Sequence, residues 1–452
     1  MAILNYSPLT GIKIGEFKET PLSSIKNIVK ESKKAQLHWK KLSKSDRISF
    51  MLKVKKEVDK NSKKIIDTIN KECGFDPEEI KGVIFDVLDG FDYYINVYKN
   101  KNDLNFPIDS SVFPESTSKI KFSPLGVIAQ IGAWNYPFWQ TMISAIPALL
   151  TGNSIIFKPS EKAIGIGLLT AQIFKSLPKN VFQCIIGSAA HGKELVKSET
   201  DAIIYTGNIE VGKEIIKNAG IKPLILELSG NDAAIVLKDC DLNQTIQGIT
   251  SGAFLHSGEV CDRIKRVYVV KEIANKLIEG IIKKTKEINV TPLISEDHLL
   301  NVHKQVNQTI KQGASLLLGG KQINKPGYYY EPTILEIKTN DIESVNNEIF
   351  GPVISIMVVD SVEQAIESAN STKFGLGTSI WIQDFKKAEL IADKCESGMV
   401  WVNDSNIPLV CGEYFKGWKN TSIVNASDRL SLFLKSKTLI SFNSRNSREW
   451  WF

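Results

Sequence analysis

Apolar residues recur every three or four positions over much of the first hundred residues. This spacing predicts amphipathic helices in LSSIKNIVKESKKAQ and in RISFMLKVKKEVDKNSKKIIDTI. From residue 124 the pattern changes, and short β-branched runs such as GVIAQIG, NSIIFKP and DAIIYTG alternate with helical segments near 138–150, 162–176 and 209–219. Such alternation predicts right-handed crossovers and a largely parallel sheet, as in a dinucleotide-binding domain.

A second alternating series follows. It has helices near 241–255, 272–286, 298–312 and 385–396, and the strand-like runs RVYVV, VISIMVV, TSIWIQ and GMVWVN. We therefore expect an α/β protein with two parallel-sheet domains. The segment SVFPESTSKIKFSP (111–124) and the chain after residue 421 do not fit either series, and we expect them to form a small interface arm.

Composition narrows the class of protein. The chain has 452 residues, of which 43% are hydrophobic and 23% charged, as in a globular protein of two domains. The formal charge of +6 comes from lysines scattered along amphipathic helices, so no nucleic-acid partner is expected. Residues 123–157 carry no formal charge, but prolines and glycines divide them into pieces of strand and short-helix length. They predict a buried core and not a membrane span.

The spacing of the cysteines and histidines indicates the cellular compartment and whether a metal site is expected. The six cysteines fit neither a CxxC motif nor a disulfide framework, and the first residues, MAILNYSPLT, have no secretory pattern. We expect a reducing, cytoplasmic location. The five histidines are dispersed without HxxxH or HExxH, so no metal site is expected.

Two motifs follow predicted strands of the first series, where ligands collect in open parallel sheets. In IIFKPSE, Lys158 and Glu161 either contact an adenosine ribose or form an ordinary helix start. In IIYTGNIEVGKEI, Gly207 and Gly212 either bracket a pyrophosphate-binding helix N-terminus or belong to a simple turn.

Two further residues are candidates for catalysis. Glu227 ends the apolar strand of LILELSGND, where partial burial fits it for general-base work, although many such glutamates only form ion pairs. Cys261, in the polar loop HSGEVC, is either a nucleophile or an inert core thiol. Arg263 and Lys265 favour its thiolate, whereas Glu259 and Asp262 oppose it.

Seven segments, in this order, resemble motifs of the NAD(P)-dependent aldehyde dehydrogenase superfamily, from about residue 7 to about 440. They are PLGVIAQIGAWNYPF, GNSIIFKPSE, YTGNIEVGK, LELSGND, SGEVCDRIKRVYV, EIFGPVISI and FGLGTSIW. The resemblance implies that Cys261 is the nucleophile, that Asn135 in AWNYP donates to the oxyanion, and that Glu227 activates the water that hydrolyses a thioester.

The resemblance also implies a cofactor site and a domain layout. Lys158 and Glu161 would contact the adenosine ribose, Gly207 and Asn208 the pyrophosphate, and Glu348 and Phe350 the nicotinamide-ribose side. A carboxylate at position 161 favours NAD, with NADP possible. The NAD-binding domain would comprise residues 1–105 and 124–229, and the catalytic domain 230–421. Residues 106–123 and 422–452 would form an oligomerisation arm and tail, making a homodimer or homotetramer.

The sequence departs from the family pattern at three places. Glu259 stands where glutamine is usual, Asn208 where serine is common, and YFKGWKNTSIVNASD where a PWGGxKxSGxGRE-like segment is expected. Two alternatives therefore accompany the acid-forming dehydrogenase: an enzyme that transfers the acyl group to coenzyme A, and a catalytically impaired binding or structural protein. Glu227 argues against the first alternative, because a hydrolytic base would waste the thioester.

Overall fold

The computed structural model describes residues 2–102, 104–107, 116–406, 415–424 and 428–442. Its strands are β1 (Ala2–Tyr6), β2 (Lys13–Lys18), β3 (Leu104–Pro107), β4 (Ser116–Pro124), β5 (Val127–Ile131), β6 (Ser154–Lys158), β7 (Phe182–Cys184), β8 (Ala202–Thr206), β9 (Leu224–Glu227), β10 (Asp232–Val236), β11 (Ile264–Val270), β12 (Ser315–Leu318), β13 (Thr333–Glu336), β14 (Val353–Val359), β15 (Gly377–Trp381), β16 (Met399–Val402), β17 (Ser422–Ile423) and β18 (Leu434–Phe442). Its helices are α1 (Ile25–Trp39), α2 (Lys44–Lys60), α3 (Ser62–Cys73), α4 (Pro77–Asn100), α5 (Pro137–Leu150), α6 (Ile164–Ile173), α7 (Ala189–Lys197), α8 (Ile209–Asn218), α9 (Leu242–Phe254), α10 (Ala274–Thr285), α11 (Glu296–Lys311), α12 (Glu343–Asn346), α13 (Val362–Asn370) and α14 (Phe385–Ala392).

The first large sheet has the strand order β17-β9-β8-β5-β6-β7. Its strands are parallel except for β17, which runs antiparallel to β9. The chain leaves β5 for β6 on one side and later for β8 on the other, so the strand order reverses at β5. A crevice for a ligand forms at such a reversal, outside the carboxyl ends of the strands.

Helices cover both faces of this sheet because its strands are apolar on both sides. Val127 and Ala129 of β5 pack among residues of α1, α7 and α8, whereas Ile128 faces the helices α2 to α6. The alternation follows from the two-residue repeat of a strand. This double burial explains the uninterrupted apolar runs of the central strands.

The second large sheet has the order β12-β13-β14-β11-β10-β15-β16, and only β12 runs antiparallel to its neighbour. Helices α9 and α10 cover one face, and α11, α13 and α14 cover the other. Two packed parallel sheets confirm the predicted fold class. The proposed domain boundaries remain a prediction.

A small antiparallel sheet stands apart from these two, with the order β18-β4-β3. It brings together the two segments assigned to the arm. Residues 108–115, 425–427 and 443–452 of the predicted arm and tail lie outside the described residues. Among the described residues, no helix has the combination of length and apolar character needed to cross a bilayer.

Candidate active site

The candidate site lies between the strand ends of the two large sheets. β9 ends at Glu227, and a short connection leads to the start of β10 at Asp232. The carboxyl ends of the first sheet therefore face the amino ends of β10, β11 and β14. The connection after β9 passes close to the Cys261 backbone at Gly230, where a Cβ atom would lie 2.7 Å from the carbonyl oxygen of Cys261.

A sharp turn carries the chain from α9 to Cys261. His256, Ser257 and Gly258 have positive φ angles of 46°, 46° and 69°. Position 258 requires glycine, because a Cβ atom there would also lie 2.2 Å from the carbonyl oxygen of Gly351. The turn leaves Cys261 half-buried at the amino end of β11.

Charged groups surround the Cys261 sulfur. Its thiol donates to Oδ1 of Asp262 at 3.7 Å, and Lys265 Nζ donates to the carbonyl oxygens of Val260 and Cys261 at 3.1 and 2.5 Å. Burial raises the pKa of the Cys261 thiol; Asp262 raises it further, and Lys265 lowers it. The resting residue is therefore a thiol, which must lose its proton before it acts as a nucleophile.

Arg263 does not stabilise the Cys261 thiolate, which the sequence had suggested. It is fully buried, and its guanidinium donates hydrogen bonds to four backbone carbonyl oxygens. The acceptors are Gly258, Ile264, Ile349 and Val353, at 2.6, 3.0, 2.6 and 2.9 Å. Arg263 thereby ties the turn before Cys261 to the segment that enters β14, and Lys265 supplies the positive charge beside the nucleophile.

Glu259, which replaces the usual glutamine, is fully buried. Its Oε1 accepts from the backbone N–H of Ile294 at 3.0 Å and lies 3.4 Å from Nε2 of His298. Burial raises the pKa of Glu259 well above its ordinary value and lowers the pKa of His298 to about 4. A neutral carboxylic acid resembles a glutamine side chain in shape and hydrogen bonding. The increase of the thiol pKa therefore comes first from burial and then from Asp262, and Glu259 is not among its causes.

Asn135 follows β5 and is buried at the start of α5. Gln140 Nε2 donates to Oδ1 of Asn135 at 3.4 Å, and Nδ2 of Asn135 donates to the carbonyl oxygen of Glu259 at 3.3 Å. These contacts orient the amide so that its donor points toward the Cys261 loop. Tyr136, with φ of 52°, makes the turn into the helix.

Glu227 is buried at the end of β9. Its Oε1 lies 3.3 Å from Nη2 of Arg429, which donates to it. Burial raises the pKa of Glu227, while Arg429 and the hydroxyl of Thr206 oppose the increase. The structure shows the ion pair that the sequence allowed, and the role of Glu227 as a general base remains a prediction.

The adenosine-side candidates lie at the end of β6. Lys158 is buried, and its Nζ lies 3.1 Å from the carbonyl oxygen of Pro159 and 3.7 Å from Oε2 of Glu161, which is half exposed. The backbone N–H of Gly132, after β5, donates to the carbonyl oxygen of Lys158 at 2.9 Å. The loops after β5 and β6 are thus held side by side at the crevice.

The pyrophosphate candidates lie at the start of α8. Asn208 caps this helix, and its Oδ1 accepts from the backbone N–H of Val211 at 2.8 Å. Gly207 precedes the cap at the end of β8. A Cβ atom at Gly212 would lie 2.8 Å from the side chain of Leu228, so packing of the helix on the sheet explains this glycine.

The two nicotinamide-side candidates precede β14, the strand next to β11. Oε1 of Glu348 lies 3.1 Å from Nζ of Lys265; the Lys265 side chain is buried, and that of Glu348 is 12% exposed. The Phe350 ring packs edge-on against Trp134 with centroids 5.6 Å apart. Glu348 is therefore connected through one lysine to the backbone of Cys261.

The fold assembles the predicted residues in two groups. Asn135, Glu227, Cys261 and Glu348 converge where the sheets meet, and Lys158, Glu161, Gly207, Asn208 and Gly212 lie along the carboxyl ends of β6 and β8 and the start of α8. Sequence reasoning missed Arg429 altogether. Nothing in NASDRLSLF indicates that this arginine contacts a glutamate 202 positions earlier.

Comparison with known proteins shows which family the chain resembles in sequence and fold. A family model described as the aldehyde dehydrogenase family matches residues 2–438. Betaine aldehyde dehydrogenase of Bacillus subtilis is 35% identical over 389 residues, which are 81% of this chain and 78% of that protein.

Solved structures match over nearly the whole chain. Glyceraldehyde-3-phosphate dehydrogenase of Methanocaldococcus jannaschii, complexed with NADP, superposes with a TM-score of 0.90 at 28% identity and covers 98% of this chain and 99% of that one. Betaine aldehyde dehydrogenase of Staphylococcus aureus, in complex with NAD+, has a TM-score of 0.93 at 25% identity, covering 100% and 94%.

Proposed function

The chain belongs to the aldehyde dehydrogenase family, and from this premise we propose that it oxidises an aldehyde to a free carboxylic acid with NAD. The observation that carries the proposal is the meeting of three elements at one crevice. Asn135 Nδ2 reaches the carbonyl oxygen of Glu259, beside Cys261, and Gly230, after Glu227, touches the Cys261 backbone.

The first step is attack of the Cys261 sulfur on the aldehyde carbonyl carbon. Asp262 accepts the thiol hydrogen bond and is the nearest acceptor for its proton. Burial raises the pKa of Asp262 to about 6, so the carboxyl is mostly ionised at pH 7. Nδ2 of Asn135 and the backbone N–H of Cys261 then stabilise the new oxyanion. When NAD is bound, its chemistry would be to accept the hydride from the former aldehyde carbon, which would leave a thioester on Cys261.

Glu227 completes the reaction by hydrolysis. Its carboxylate takes a proton from water while the water oxygen bonds to the thioester carbon. The carbon–sulfur bond then breaks, its electron pair returns to the sulfur, and the carboxylic acid leaves. The buried ion pair with Arg429 supports the charged form of this carboxylate, which the step requires.

The residues of the crevice fit a dinucleotide. Helix α8 directs the N–H groups of its first turn toward the crevice, where a pyrophosphate would bind. The buried ammonium of Lys158 and the half-exposed carboxylate of Glu161 lie together at the next strand and suit a ribose with free hydroxyls. The negative charge of Glu161 would repel the 2′-phosphate of NADP, and NAD is therefore the favoured cofactor.

Replacing Glu161 with glutamine should raise the ratio of kcat/KM with NADP to kcat/KM with NAD by about tenfold, because it removes a like-charge repulsion. Steady-state kinetics with both cofactors measures the ratio. The exposed Glu199, which pairs with Lys33, provides the control variant Glu199→Gln with an unchanged ratio. An unchanged ratio in Glu161→Gln would mean that position 161 does not face the ribose.

The proposed activity is tested with a panel of aliphatic, aromatic and charged aldehydes. We expect NADH to form with NAD and aldehyde alone, and a free acid to appear in equal amount. A requirement for coenzyme A, with an acyl-CoA product, would instead favour the acyl-transferring alternative. Absence of NADH across the panel would favour a non-catalytic protein on this fold.

Assembly and compartment belong to the same proposal. The edge strand β18 exposes Leu439 and Ile440, which supports pairing of the small sheet with a second copy as a homodimer or homotetramer. All five cysteines in the described part of the chain are free, which supports a cytoplasmic enzyme.

A further inference from the structure

We propose that Arg429 is a positioning residue that keeps the Glu227 carboxyl ionised at neutral pH and so extends thioester hydrolysis to lower pH. The inference rests on the proposed function, since it concerns the base of that reaction. Arg429 directly follows YFKGWKNTSIVNASD, the segment that departs from the family pattern.

The contact is specific and buried. Nη2 of Arg429 lies 3.3 Å from Oε1 of Glu227, and the two side chains are only 4% and 10% exposed. An ion pair that is removed from water is screened much less than one on the surface. Breaking such a pair leaves the remaining charge without compensation.

The C-terminal segment is anchored beside Glu227 by its backbone. β17 pairs antiparallel with β9, so that Ser422 lies opposite Glu227. The backbone N–H of Leu228 donates to the carbonyl oxygen of Thr421 at 2.8 Å. The segment therefore extends the sheet at the strand that carries the base, and the chain beyond it delivers Arg429.

The groups around Glu227 come from three elements, and one of them is a cation. The Thr206 hydroxyl of β8 donates to the carboxylate, and Asp262 in the loop before β11 repels it. Arg429 comes from the C-terminal segment. Because burial and Asp262 both favour the protonated acid, the arginine is the main charge that favours the carboxylate.

Loss of the Arg429 cation should move the pH dependence of thioester hydrolysis to higher pH. A general base must be ionised, so hydrolysis fails as the pH falls through the pKa of Glu227. Removing the cation raises this pKa, which moves the acid limb of the rate profile to higher pH. At high pH Glu227 ionises in either protein, and the two rates should converge. A general loss of structure would instead lower the rate at every pH.

The experiment uses p-nitrophenyl acetate, which acylates a nucleophilic cysteine without an aldehyde or a cofactor. Release of p-nitrophenol is followed at its isosbestic wavelength from pH 5 to 10. The initial burst reports acylation, and the later linear phase reports hydrolysis of the acyl-enzyme. The variants are Arg429→Gln and Arg429→Lys, with Lys435→Gln as the control. Lys435 lies in the same C-terminal segment but donates to the carbonyl oxygen of Leu125.

We expect the native linear phase to reach its plateau by pH 7. Arg429→Gln should shift the acid limb upward by at least about one pH unit and leave the burst amplitude unchanged. Arg429→Lys should restore most of the shift, and Lys435→Gln should not move the limb.

Two results would overturn the role of Arg429 alone: a burst of native size in Arg429→Gln with an unshifted limb, or a faster linear phase at every pH. The role of Arg429 would also be overturned if the linear-phase rate of the native protein still rose well above pH 7. This test does not depend on whether Arg429→Gln folds. A native protein without any burst would instead overturn the proposed function itself.

Discussion

Replacing Cys261 with alanine is expected to lower kcat for NAD-dependent aldehyde oxidation by at least about 10⁴-fold, because the proposed thioester forms on this sulfur. The sulfur lies half-buried between Asp262 and the Lys265-bound backbone, and the loop is held by Arg263 rather than by the thiol. The fold should therefore survive the change. Steady-state NADH formation at saturating aldehyde measures the loss.

Cys240 offers a matched control for this variant. It is also half-buried, but it follows β10 at the far end of that strand from Cys261. Cys240→Ala should retain native kcat within about a factor of two, and both variants should keep the native thermal unfolding midpoint within a few degrees. Appreciable turnover in Cys261→Ala would show that the sulfur is not the nucleophile, whatever the structural fit.

The second large effect is expected at Glu227. Glu227→Gln should reduce steady-state turnover by about 10²- to 10³-fold, since an amide cannot take the proton from the attacking water. Acylation of Cys261 does not need this base, so the first turnover should persist. Rapid mixing with NAD and aldehyde should give a burst of one NADH per active site followed by a slow phase.

Mass spectrometry provides a direct view of the stalled reaction. The acyl group should accumulate on Cys261 of Glu227→Gln, and not on the native enzyme. Glu259→Gln is the control, because burial raises the pKa of that carboxyl well above its ordinary value and so favours the neutral acid, and its replacement should change turnover less than about threefold. Loss of the burst in Glu227→Gln would mean that Glu227 also serves the first step.

Much of the fold could be predicted because it depends on local patterns of burial. The helical repeat near 209–219 matches α8 at Ile209–Asn218, and VISIMVV is strand β14 throughout. β11 begins two residues before the predicted run, since Ile264 and Lys265 already belong to it. The sequence did not predict this start because a lysine is unusual in a buried strand. Its ammonium can be buried because it donates to two backbone carbonyl oxygens.

The candidate site was predicted in kind but not in its electrostatics. The resemblance identified Cys261, Asn135 and Glu227 by motif. It did not reveal that Arg263 turns away from the thiol to four carbonyl oxygens, or that Glu259 is buried where its carboxyl is neutral. Both outcomes depend on which neighbours surround a charged group, and those neighbours come from distant parts of the chain.

The sequence alone determined the alternation of apolar strands and amphipathic helices, and hence two parallel sheets, because burial imposes its period on neighbouring residues. Only the tertiary structure decided that the short connection from Glu227 to Asp232 sets carboxyl strand ends against amino strand ends, with Cys261 between them. It also decided that Arg429 pairs with Glu227. Coulomb interaction depends on distance in space and not on separation along the chain, so no local pattern records such a pair.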